Sequence, residues 1–154
     1  MKERWLPAGV FAGTLFAVNI IARIVVRLAA GKDDGKQIWI GLVELIAVGV
    51  VALVAAVLWV RRLPMPRAVG DLVVGVLVGG LLSTLVGPFI SGGKVFGDGF
   101  GYFMTQMFYY AAVCGLGALF GTLGIMVVGL DYKSQSWKRY ATVIQSQPRK
   151  VARR

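Results

Sequence analysis

Residues 38–60 read IWIGLVELIAVGVVALVAAVLWV, and this run decides what kind of molecule the chain encodes. Glu44 is its one charged residue. Trp39 and Trp59 stand twenty residues apart, a helical length of about 30 Å that matches the hydrocarbon thickness of a bilayer. Tryptophan favours both membrane interfaces, so the two rings are expected at the edges of the layer. Apolar residues cover every side of such a helix. A chain of 154 residues has too little other protein to hide it from water.

Working outward, three more apolar blocks appear, at about 6–30, 68–90 and 102–130. Apolar residues make up 57% of the chain and charged ones 16%, against roughly 45–50% and about 25% in globular domains. The predicted fold class is therefore an all-α integral membrane protein. Four transmembrane helices occupy residues 1–130, and a short amphipathic, basic cytoplasmic tail occupies 131–154. The first block resembles a signal peptide in its basic start, but its run from Leu6 to Ala22 is longer than the usual apolar core. Arg23 and Arg27 also interrupt the approach to any cleavage point, so it is read as a retained helix.

Composition also excludes chemistry. There is no histidine, which removes the commonest metal ligand and proton shuttle. The single cysteine, Cys114, permits no intrachain disulfide and no thiolate zinc site, and reads as a small packing residue. No nucleotide-binding loop, Ser/His/Asp set or carboxylate pair is present, so no cofactor and no enzymatic activity are expected.

Polar groups inside apolar blocks are costly and usually partnered. Asn19, Arg23 and Arg27 recur every fourth residue on the first helix, which places them on one face. Counting from Asp34, Arg23 lies eleven residues back and Glu44 ten forward, so the two sit at nearly equal depth. An Arg23–Glu44 pair is expected, with Asn19 extending the stripe inward and Arg27 reaching toward lipid headgroups. At the other end, Arg67 and Asp71 are four residues apart and are expected to pair on one helical face.

Small residues form ridges that let helices approach closely. Gly9 and Gly13, followed by Ala17, make one; Gly75 and Gly79 make a second; Gly117 and Gly121 make a third; Ala52 and Ala56 add a shorter one. The ridges on the third and fourth helices are expected to meet each other or a second copy. Residues 61–67, RRLPMPR, read as a rigid basic turn, and residues 91–101, SGGKVFGDGFG, as a glycine-rich connector. In the tail, Trp137, Tyr140 and Ile144 share one helical face, with Lys138 and Arg139 around it. Pro148 then ends the helix before a basic arm of Arg149, Lys150, Arg153 and Arg154. A membrane-surface helix attracted to anionic lipid accounts for this pattern.

Orientation follows from the basic residues. The N-terminus, the 61–67 turn and the tail hold two, three and seven Lys/Arg, while the opposite side holds Lys32, Lys36 and Lys94. By the positive-inside rule both termini are cytoplasmic, in a bacterial inner membrane. That asymmetry accounts for the net charge of +10 without nucleic acid as a partner. The functional expectation is action by association, as an accessory subunit or scaffold of a larger membrane complex. Its expected partners are the bilayer, anionic lipid at the tail, and other membrane subunits or further copies of itself. The alternatives are a small transporter or channel component and a holin-like pore former. The pathway alternatives rank lower because helices two and four read as almost wholly apolar at mid-membrane.

Overall fold

A computed structural model describes residues 5–30, 33–91 and 99–146, and every regular element among them is helical. Helix α1 spans Leu6–Val25, with a proline in its first turn, and continues through a π-helical turn at Val26–Ala30. Helix α2 spans Asp34–Arg62. It starts earlier than the apolar run because the Asp33 side chain caps it, accepting from the Lys36 N–H at 3.3 Å. Helix α3 spans Met65–Ser91, and α4 spans Phe100–Val127.

The expected basic turn at 61–67 is much shorter in the structure. Arg61, Arg62 and Arg67 are all helical, leaving Leu63 and Pro64 as the connection. Pro66 is tolerated in the first turn of α3, where its missing N–H has no intrahelical partner to lose. At the end of α4, Gly129 adopts φ +66°. The Leu130 N–H then returns to the Ile125 carbonyl and the Gly129 N–H to the Met126 carbonyl. This αL termination turns the chain sharply into helix α5, Tyr132–Ser146. Asp131 opens α5 by accepting from the Ser134 N–H at 3.2 Å. Hydrogen bonding by Ser134 holds this exposed carboxyl below its ordinary range.

Four helices are long and apolar enough to cross a membrane, which fits a multi-pass membrane protein. Their packing fits that setting: several small residues lie inside while many large apolar ones face outward. Ala8, Ala12, Ala52, Ala56 and Ala68 are buried, whereas Val43, Ile46, Phe108 and Phe120 are 62–73% exposed. Lipid solvates large aliphatic side chains as well as a protein interior does, so close backbone approach drives association instead.

That approach pairs α1 with α3 and α2 with α4. A Cβ added to Gly75 would stand 3.0 Å from Phe11 Cε1, and one on Gly79 would stand 3.2 Å from Leu15 Cβ. On the other pair, a Cβ at Gly117 would lie 3.0 Å from the Gly49 carbonyl carbon, and one at Gly121 would lie 3.2 Å from that of Leu53. Both registers advance in step, so each pair is parallel. The two glycine ridges therefore do not meet each other, which was one of the two arrangements expected from the sequence, the other being contact with a second copy. Each receives a different helix: the α3 ridge takes the Phe11 ring and the α4 ridge takes the α2 backbone. The Gly9 and Gly13 ridge is open, with nothing within 4 Å of an added Cβ.

The core lies between the two pairs and comprises Phe11, Leu15, Val48, Ala52, Ala56, Leu72, Tyr110 and Cys114. A smaller cluster, Val60, Ala68 and Ile125, extends it toward the α2–α3 turn. Trp39 is exposed. Trp59 instead turns inward and meets the Phe11 ring edge-on, with centroids 5.4 Å apart.

Candidate functional site

Asn19 and Arg23 of the polar stripe face the interior at the end of the bundle that carries the α1–α2 turn, while Arg27 is exposed. Asn19 is 6% exposed. Its amide donates to Glu44 Oε1, and its carbonyl accepts from Arg23 Nε at 2.9 Å. Arg23 and Glu44 are thus joined through an amide that serves both charges. The depth count had set Arg23 level with Glu44; in the structure Asn19 is the nearer residue. The Arg23 side chain also lies across α3 at Gly87, where an added Cβ would stand 2.6 Å from Cζ. That glycine makes the room the guanidinium occupies. Arg27, in the π-helical turn, donates to the Ile90 carbonyl at 3.2 Å. It thereby places its charge at the negative end of the α3 dipole.

Around this relay is a cavity of about 280 Å³ to which all four long helices contribute. Its walls are Asn19 and Arg23 from α1, Gly41, Glu44 and Leu45 from α2, Ser83 and Thr84 from α3, and Gln106, Tyr109 and Tyr110 from α4. The Thr84 hydroxyl donates to the Gly80 carbonyl at 2.8 Å. Pro88, four residues on, has no N–H to offer the Thr84 carbonyl. Ser83 and Tyr110 are 1% and 7% exposed, with hydroxyl oxygens closed off from the cavity and within reach of each other.

Ser83, Thr84, Gln106 and Tyr110 were not singled out from the sequence. The signal was present in the spacing: Gly75, Gly79, Ser83 and Gly87 recur every fourth residue, and so do Gln106, Tyr110 and Cys114. Each series continues a small-residue face into a polar one. The apolar appearance of α4 concealed that Tyr110 packs against α3 at Gly80.

The remaining candidates are dispersed. Arg67 is exposed, and Asp71 Oδ2 is buried without a hydrogen-bond partner among the described residues, so the expected Arg67–Asp71 pair is not made. The spacing permits contact, but Arg67 turns outward from the first turn of α3 while Asp71 turns in. Trp137, Lys138 and Arg139 lie exposed on α5, where Lys138 donates to the Gly129 carbonyl at 3.1 Å. Arg149, Lys150, Arg153 and Arg154 lie outside the described residues, as does most of the glycine-rich connector.

These features define a class: a helical chain with four helices fit to span a membrane and a partly open cavity lined by all four of them. Comparison with protein families, curated proteins and solved structures finds no match.

Proposed function

We propose that the protein is a multi-pass component of a bacterial inner membrane and works by association, as an accessory subunit or scaffold of a larger membrane complex. The observation that carries this reading is the open ridge on α1. The fold uses the α3 and α4 ridges internally, whereas an added Cβ at Gly9 or Gly13 meets nothing within 4 Å. A flat, small-residue face toward lipid suits close approach by a helix of another subunit.

The Lys/Arg asymmetry supports cytoplasmic termini. The composition of α5 supports contact with anionic lipid: Trp137, Tyr140 and Ile144 are 64%, 61% and 52% exposed beside Lys138 and Arg139. The test is affinity purification of the tagged protein from its native membrane in mild detergent, followed by mass spectrometry. One stoichiometric membrane complex is expected, and Gly13→Leu should release it without unfolding the chain. Recovery of the protein only as itself or its own oligomer overturns the accessory-subunit reading.

A further inference from the structure

Helices α1 and α3 carry one pattern twice. Residues 6–17 read LPAGVFAGTLFA and residues 72–83 read LVVGVLVGGLLS. Leu6, Gly9, Val10, Gly13 and Leu15 thus recur 66 positions later as Leu72, Gly75, Val76, Gly79 and Leu81. The same offset carries Gly49, Ala52 and Leu53 of α2 onto Gly115, Ala118 and Leu119 of α4. A helical hairpin is repeated, and the pairing of α1 with α3 and α2 with α4 lays one repeat beside the other. In each repeat a large residue follows each glycine by two positions: Phe11 and Leu15 in the first, Leu77 and Leu81 in the second. Two residues turn a helix through about 200°, so the glycine pair and the large pair face opposite ways. Each helix therefore has a socket on one side and a knob on the other. Within the chain the α1 knob fills the α3 socket, with Phe11 against Gly75 and Leu15 against Gly79. One socket and one knob are left over. An added Cβ at Gly9 or Gly13 meets nothing within 4 Å, and Leu77 and Leu81 are 50% and 43% exposed.

We infer that the helix received by the α1 ridge is α3 of a second copy of this chain, with Leu77 seated on Gly9 and Leu81 on Gly13. The contact between copies then repeats the contact already made inside each copy, where Leu15 packs on Gly79. A bilayer favours it: copies inserted the same way present α1 and α3 running in the same direction, as the internal parallel pair does. Close approach at glycine, with a large side chain filling the gap, supplies the packing that drives helix association in lipid. The two surfaces differ, so the interface is heterologous, and successive copies close into a ring or continue as a row. This inference rests on the reading of the α1 ridge as an interface and names its occupant. The larger complex is then assembled on stacked copies, and breaking the stack releases it.

The test is disulfide cross-linking of the full chain in its native membrane, with Cys114 replaced by alanine throughout. Two differently tagged chains are co-expressed, one with Gly13→Cys and the other with Leu81→Cys. These positions are the repeat equivalents of Gly79 and Leu15, whose Cβ positions lie 3.2 Å apart within the chain, close enough for a disulfide. Mild oxidation should give a mixed dimer carrying both tags, and adding Gly9→Leu to the first chain should abolish it. Gly9→Cys with Leu77→Cys is a second pair, so the test survives if one variant of the first pair does not fold. No mixed dimer from either pair overturns the inference, and so does stronger cross-linking between two Gly13→Cys chains, which would mean a symmetric ridge-to-ridge contact. If no mixed dimer forms while Gly13→Leu still releases a complex of other proteins, the association reading stands and this inference fails. A mixed dimer from a protein that purifies only with itself supports this inference and overturns the accessory-subunit reading.

Discussion

At Asn19, one neutral side chain decides how two charges coexist inside an apolar bundle. Its amide gives a donor to Glu44 and an acceptor to Arg23, so each charge gains a hydrogen bond without direct contact. Coupling between Arg23 and Glu44 should therefore depend on Asn19. In a double-mutant cycle with Arg23→Gln and Glu44→Gln, the coupling energy is expected at about 1 kcal/mol in the parent background. In an Asn19→Ala background it should fall close to zero. Unfolding in mixed detergent micelles measures both values, and an unchanged coupling energy would show that the charges act on each other directly. The stripe of Asn19, Arg23 and Arg27 was legible in the sequence because a four-residue spacing fixes a shared helical face. The role of Asn19 as the link was not, since it depends on where α2 settles beside α1.

Among the elements, the ridges separate into used and unused. The backbone of α2 occupies the space beside Gly117 and Gly121, and a backbone cannot rotate away as a side chain can. Gly117→Ala and Gly121→Ala should each destabilise the fold by about 1–3 kcal/mol, the usual cost of overpacking. Gly9→Ala and Gly13→Ala should leave the isolated protein unchanged or slightly more stable, since alanine is the better helix former and the space is open. Thermal unfolding of the four variants side by side checks the contrast. All four glycines look alike in sequence; what distinguishes them is whether another helix arrives.

Across the whole molecule, parallel pairing of α1 with α3 and α2 with α4 sets the architecture. With Cys114 replaced by alanine, Leu15→Cys and Gly79→Cys should cross-link readily on mild oxidation, because their Cβ positions lie about 3.2 Å apart. Gly75→Cys with Gly117→Cys, the pair expected if the α3 and α4 ridges faced each other, should not cross-link. The reverse pattern on a denaturing gel would overturn the pairing. By itself the sequence determined the number of helices, their span-like lengths and their apolar character. These depend on hydropathy and on proline or glycine at helix ends, which act within a few residues. Only the tertiary structure decided which helices pair, which ridge stays open, and that Ser83 and Tyr110 join Asn19, Arg23 and Glu44 around one cavity. Those outcomes depend on contacts such as Phe11 with Gly75 and Gly49 with Gly117, between residues more than sixty positions apart. At such separations side-chain volume and backbone approach act only once the helices have come together.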